Sequence, residues 1–84
     1  TRVFREEFGM TFVQYLTACR IDHSKELLAQ TSIPIEQIAY RVGINSYSYF
    51  CTCFKRLCSI SPGEYRKNHA LKYQNIETEH QNIE

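Results

Sequence analysis

Long apolar runs are missing from this sequence of 84 residues, and no stretch approaches the roughly 18 apolar residues that a membrane helix needs. No charged segment followed by an apolar one opens the chain, so a secretory signal is not expected. The sequence also lacks CxxC pairs, zinc-spaced histidines, glycine-rich phosphate loops and nucleophile–base or paired-carboxylate arrangements. Neither catalysis nor a cofactor is therefore predicted.

An excess of charge is almost absent too, because ten Lys and Arg face nine Asp and Glu, for a net charge of +1. The charges are nevertheless unevenly distributed. Residues 1–72 hold all ten basic and six acidic side chains, a net +4, whereas residues 73–84 hold three acids and no base, a net −3. A mildly basic body with an acidic tail fits contact with DNA, although the signal is weak.

Four cysteines are present, at Cys19, Cys51, Cys53 and Cys58. Cys51 and Cys58 lie seven residues apart on one predicted helix, which separates them by about 10 Å along its axis. That distance is too long for a disulfide, so we expect four free thiols in a reducing cytoplasm. A thiol or metal sensor built on these cysteines is a less favoured alternative.

Helical patterns fill the chain and no strand pattern interrupts them, so the sequence predicts an all-α fold. Capping residues and helix breakers at Thr11, Pro34, Ser46 and Ser61 divide the chain into segments. The predicted helices cover residues 1–8, 11–30, 35–42, 46–57 and 62–73. The polar residues 74–84 are predicted to be disordered.

Apolar residues spaced three and four apart predict the buried face of each helix. The predicted inward residues are Phe12, Tyr15, Leu16, Cys19, Leu27 and Leu28 in the long helix, Ile35, Ile38, Ala39 and Val42 in the next, and Phe50, Cys53, Phe54 and Leu57 in the fourth.

Residues 38–57 predict a helix-turn-helix, around which the rest of the chain is arranged. Ala39 is small enough for a second helix to cross closely above it, and Gly43 suits the tight turn. The second helix has an apolar back, and its front carries short hydrogen-bonding groups and Lys55. Such a helix fits the major groove of DNA.

An internal repeat appears when the chain is shifted by 50 residues. Phe4 then aligns with Phe54, Thr11 with Ser61, and Tyr15 with Tyr65. The repeat predicts that residues 1–10 end a first helix-turn-helix unit and that residues 11–30 link it to a second, complete unit at 34–73. In this alignment the first unit is incomplete, and Thr1 and Arg2 occupy the positions of Cys51 and Thr52.

The segment IEQIAYRVGINSYSYFCTCFKR at 35–56, followed by ISPGEYR at 60–66, resembles the signature of AraC/XylS-type bacterial transcription regulators. Upstream, Phe4-Arg5, Gly9, Tyr15-Leu16, Arg20-Ile21 and Leu27-Leu28 resemble the first unit and connecting helix of that family. The resemblance covers residues 1–67. It implies tandem helix-turn-helix units, each with a recognition helix in one of two successive major grooves of double-stranded DNA.

The resemblance also implies contacts with DNA, position by position. The implied base contacts are Tyr47, Ser48, Cys51 and Thr52, with Thr1 and Arg2 in the first unit. The implied phosphate contacts are Asn45, Ser46 and Lys55, to which we add Arg41 on the outer face of its helix. RNA polymerase is a further expected partner of the full-length protein.

Several positions leave alternatives open. Tyr47 and Tyr49 suit core packing or phosphate contact as well as base reading, and Arg66 suits either a phosphate contact or, preferably, a structural pair. Ser59 stands where the family usually has glycine, and Ile44 where it usually has phenylalanine. Cys51 forms only weak hydrogen bonds, which is unusual for a residue in the groove.

A different class of function is a helical interaction module that associates with itself. Val3, Phe4 and Phe8 are apolar, and the resemblance implies that they pack on helices of the first unit that are not in this sequence. Exposed apolar surface of this kind favours a homo-oligomer.

Overall fold

The structure, a computed structural model, describes the backbone of residues 2–70 and the side chains of residues 5–70. This part of the chain is helical, with α1 at Arg2–Phe8, α2 at Phe12–Gln30, α3 at Ile35–Arg41, α4 at Tyr47–Cys58 and α5 at 62–70. The predicted all-α fold is confirmed, and the predicted helix limits agree closely with these. The tail predicted to be disordered, the predicted end of the last helix and Thr1 lie outside the described residues.

The long helix α2 begins at the predicted capping box. The backbone amide of Gln14 donates to Thr11 Oγ1 at 3.0 Å. The backbone amide of Thr11 donates in return to Gln14 Oε1, also at 3.0 Å. Two amides that a helix start leaves without partners are thereby satisfied. Gly9, whose φ of 72° is left-handed, ends α1 just before this cap.

The turn between α3 and α4 depends on Gly43, which has a φ of 95°. A Cβ atom at this position would lie 3.1 Å from Nε of Arg20, so the turn combines a left-handed backbone with close approach of an α2 side chain. The amide of Ile44 then donates to the Ala39 carbonyl at 2.9 Å, which closes the turn. α4 starts where the Tyr49 amide donates to Ser46 Oγ at 3.1 Å, as predicted for an N-cap.

Helices α2, α3 and α4 pack against one another around one hydrophobic core. Phe50 and Phe54 are fully buried on the back of α4, with ring centroids 5.9 Å apart, and Tyr65 of α5 meets Phe54 edge-on at 5.6 Å. The buried apolar residues are Ile21, Leu28, Ile38, Ala39, Val42, Ile44, Phe50, Cys53 and Phe54. The inward faces predicted for α3 and for most of α4 are therefore confirmed.

The predicted buried face of α2 is wrong over most of its length. The buried positions are Thr17, Ile21, Ser24 and Leu28, whereas Phe12, Tyr15 and Cys19 are exposed and Leu16 and Leu27 are half-buried. Small polar residues allow α3 and α4 to approach closely here, and the Ser24 hydroxyl donates to the Ile21 carbonyl at 2.6 Å. A prediction that counted only apolar residues could not find this face.

Leu57 is also misplaced by the prediction, since its side chain is 48% exposed. It lies in the last turn of α4, two residues before Ser59, which has a left-handed φ of 70°. Helical periodicity gives the direction of a side chain around the axis, but it does not give how far along that axis the neighbouring helices extend. Among the described helices, none has the length and apolar character that a membrane crossing requires.

Candidate nucleic-acid interface

The outer face of α4 lies opposite its buried Phe50. At 100° per residue, Ser48, Thr52 and Lys55 form the centre of this face, and all three are exposed. The Thr52 hydroxyl donates to the Ser48 carbonyl at 3.1 Å, within the helix itself. The centre of the face therefore presents two hydroxyl groups, a methyl group and one cation.

Tyr47 and Cys51 occupy one flank of this face, four residues apart, and Tyr47 is 43% exposed. The pKa of the Tyr47 phenol is raised above its usual value, chiefly by a hydrogen bond between the two side chains. Tyr47 thus remains a neutral phenol at physiological pH and adds no negative charge to the face. Its exposure argues against the alternative in which it packs in the core.

Tyr49 and Arg56 occupy the other flank. Tyr49 is exposed, and the pKa of its phenol is raised above its usual value, chiefly by a hydrogen bond with Cys53. The nearby charge of Arg56 opposes this effect in part. Arg56 is exposed and directly follows Lys55, but consecutive helical residues lie about 100° apart, so the two cations stand on opposite sides of the outer face. Arg56 is not among the residues that the sequence predicts to contact DNA, although its place outside the predicted apolar face of α4 was a visible signal.

Residues predicted to contact phosphates surround the start of α4. Asn45 and Ser46 are exposed just before the helix, and Arg41 is exposed at the end of α3. Ser46 Oγ already accepts the Tyr49 amide, and its own hydroxyl proton can still be donated. Amides at a helix start carry partial positive charge, which favours an anion such as phosphate.

The two residues predicted to contact bases in the first unit cannot be placed on a helix face in the same way. Thr1 lies outside the described residues, and Arg2 begins α1 with a side chain that also lies outside them. Their proposed contacts with bases remain a prediction.

The cysteines and Arg66 have clear positions. All four cysteines are free, with Cys19 exposed, Cys53 buried and the other two half-buried. Within the described residues, no group of three or more His, Cys, Asp or Glu side chains is arranged to hold a metal ion, so the metal-sensor alternative gains no support there. Arg66 donates through Nε to the Leu28 carbonyl and through Nη2 to the Thr31 carbonyl, both at 3.2 Å, which supports the structural alternative.

Comparison with known proteins places this geometry among described domains. A family model described as a helix-turn-helix domain matches residues 1–68. Curated relatives include the transcriptional regulator GlxA of Rhizobium meliloti, 39% identical over 66 residues, or 79% of this chain and 20% of that protein. The melibiose operon regulatory protein of Escherichia coli K12 is 38% identical over 65 residues, covering 77% of this chain and 22% of that protein.

Two further matches are informative. The transcriptional activator RhaR of Mannheimia succiniciproducens is 35% identical over 71 residues, or 84% of this chain and 26% of that protein. A solved structure, the C-terminal domain of the response regulator yesN of Fusobacterium nucleatum, aligns with a TM-score of 0.71 at 38% identity. That alignment covers 76% of this chain and 62% of the solved one. The chain thus spans a fifth to about a quarter of the length of these curated relatives.

Proposed function

Because this chain belongs to the family of AraC-type helix-turn-helix domains of bacterial transcription regulators, we propose that α4 recognises a specific sequence in the major groove of double-stranded DNA. The observation that carries the proposal is the division of α4 into two faces. Phe50, Cys53 and Phe54 anchor its back in the core, while Ser48, Thr52 and Lys55 are exposed on its front. A helix held in this way can enter a groove without losing its packing.

The proposed contacts fall into two groups. Tyr47, Ser48, Cys51 and Thr52 face base edges, and in the first unit Thr1 and Arg2 have the same role. Asn45, Ser46, Arg41 and Lys55 contact phosphates, and Arg56 joins them because it is an exposed cation on the Tyr49 flank of the outer face. Phosphate contacts fix position and supply affinity, whereas base contacts supply specificity.

The experiment that tests this proposal selects duplexes from a random pool and then measures affinity against salt concentration. Lys55→Ala should weaken binding to all duplexes alike and reduce the slope of log K against log [salt] by about 0.9. Lys67→Ala removes the same charge from an exposed position on α5 and is the matched control, with no change of slope expected. Loss of slope in both variants, or in neither, would refute the placement of α4 on DNA.

We further propose that residues 1–10 end a first helix-turn-helix unit, that α2 links it to a second unit at 34–73, and that the chain works within a longer regulator. The length of the curated relatives supports this arrangement. Since one relative is named as a transcriptional activator, RNA polymerase is a proposed partner of the longer protein. The cytoplasm is its proposed location. DNA reading needs no enzymatic step.

Self-association is a second candidate, favoured by apolar residues at the start of α2. Val13 is 66% exposed, and Phe12, which is 50% exposed, lies on the side of α2 opposite Ile21. Phe8 and Tyr15 are exposed nearby, with ring centroids 6.1 Å apart. Light scattering across a concentration series tests this candidate: a rising mass would support a homo-oligomer, and a constant monomer mass would refute it.

A further inference from the structure

Thr52 has a restricted hydrogen-bonding capacity on the outer face of α4. Its Oγ1 lies 3.1 Å from the carbonyl oxygen of Ser48. A carbonyl oxygen only accepts hydrogen bonds, so the proton between the two oxygens must be the hydroxyl proton of Thr52. Outward, Thr52 therefore offers acceptor lone pairs and a methyl group, but no donor.

Ser48 is a useful contrast on the same face, one turn earlier. Its hydroxyl makes no hydrogen bond within the described part of the chain, so it can rotate to donate or to accept. A hydroxyl with both options discriminates poorly between bases that present donors and bases that present acceptors. Two similar side chains thus differ in what they can distinguish.

The major groove presents a different pattern for each base. Guanine offers only acceptors, N7 and O6, whereas adenine and cytosine offer amino donors and thymine offers a methyl group. Thr52 would have to break its bond to the Ser48 carbonyl before it could donate to guanine. An A·T pair supplies both an amino donor for the oxygen of Thr52 and a methyl group for its methyl, while a G·C pair supplies a donor only.

We propose, on the basis of the proposed DNA-reading function, that Thr52 selects an A·T base pair through acceptance from the adenine N6 amino group and contact with the thymine methyl. The assignment concerns specificity, because a helix face without this internal bond would read either kind of pair. It also gives Thr52 a sharper role than Ser48, although both are exposed hydroxyl residues.

The test uses the duplex that the protein selects from a random pool, with one chemical group removed from one base at a time. Each thymine is replaced in turn by uracil, which lacks the methyl group, and each adenine by purine, which lacks the amino group. For the unmodified protein, one base pair should respond to both changes. Loss of the methyl contact should weaken binding about fourfold, and loss of the amino bond about two- to tenfold.

Two substitutions separate the two contacts. Thr52→Ser keeps the hydroxyl and lacks the methyl, so it should bind less tightly and become insensitive to uracil at that pair. Thr52→Val keeps the methyl and lacks the hydroxyl, so it should stay sensitive to uracil and lose sensitivity to purine. Ser48→Ala is the matched control, which should leave both responses at that pair unchanged, whatever its effect on total affinity.

The outcomes distinguish this inference from the proposed function. If the protein selects a sequence but no pair changes its response in the Thr52 variants, or if guanine is required at the pair that they affect, the assignment of Thr52 is overturned while DNA reading stands. If the protein selects no sequence at all, both fail.

Discussion

Ser59 is the only non-glycine residue with a left-handed φ in the described part of the chain, at 70°. It ends α4, where its amide donates to the Lys55 carbonyl at 2.8 Å. A side chain in this conformation costs about 1–2 kcal/mol, because Cβ approaches the following carbonyl oxygen. The family usually has glycine at this position, and the left-handed backbone is the physical reason.

Ser59→Gly should therefore stabilise the protein. The relief of about 1–2 kcal/mol is partly offset by about 0.4–1 kcal/mol from the greater freedom of glycine in the unfolded chain, which leaves a net gain of about 1 kcal/mol or less. Urea unfolding monitored by circular dichroism measures the change. Ser32→Gly, at an exposed position without a positive φ, should instead lose about 0.4–1 kcal/mol. Equal losses at both serines would contradict this explanation.

Single residues with local roles were the easiest to predict from the sequence. Thr11 and Ser46 were identified as caps because a hydroxyl at a helix start satisfies amides within three residues, and no distant contact is needed. Arg56 was overlooked, although its position outside the predicted apolar face of α4 was enough to predict its exposure. The base contacts assigned to Tyr47, Ser48, Cys51 and Thr52 remain predictions, since only a complex with DNA would test them.

At the start of α4, effects on stability and effects on DNA binding can be measured separately, because Ser46 caps the helix and also lies beside the proposed phosphates. Ser46→Ala removes the acceptor of the Tyr49 amide and should cost about 0.5–2 kcal/mol of unfolding free energy. Ser46→Asp keeps a capping oxygen and adds a negative charge that the start of a helix favours, so the stability should remain close to that of the unmodified protein.

For DNA binding, the two variants should rank in the opposite order to their ranking in stability. A carboxylate at position 46 would repel a nearby phosphate, so Ser46→Asp should bind duplex DNA more weakly than Ser46→Ala at low salt, and the difference should shrink as salt rises. Unfolding curves and duplex titrations of the two variants provide the measurements. If Ser46→Asp bound as tightly as Ser46→Ala at low salt, the start of α4 would not face the DNA backbone.

The buried faces of α2 and α4 differ in how well the sequence predicts them. In α4 the buried side is marked by large apolar residues, Phe50 and Phe54, so periodicity alone finds most of it. In α2 the buried side includes Thr17 and Ser24, whose value lies in their small size, and the Ser24 hydroxyl is satisfied by the Ile21 carbonyl. Conversely, Phe12 and Tyr15 are apolar yet exposed. A sequence pattern cannot separate apolar residues that fill the core from apolar residues on another side of the helix.

At the scale of the whole molecule, α5 connects helices that are distant in sequence. Tyr65 packs edge-on against Phe54 of α4, and the next residue, Arg66, donates to the Leu28 and Thr31 carbonyls at the end of α2. The carbonyls at a helix end lack partners within the helix and carry partial negative charge, so a guanidinium is well suited to them. Two neighbouring residues of α5 thus hold α2 and α4 in one arrangement.

Arg66→Ala should lower the free energy of unfolding by about 1–3 kcal/mol, because two hydrogen bonds from a charged donor are lost over a sequence separation of more than 30 residues. Arg66→Lys keeps the charge but not the planar pair of donors, so it should recover only part of the loss. Lys67→Ala, at an exposed neighbouring position, should change stability little. DNA titrations of the folded variants then decide between the two alternatives for Arg66. An unchanged salt slope is expected for a structural role, whereas a slope reduced by about 0.9 would show that Arg66 neutralises a phosphate.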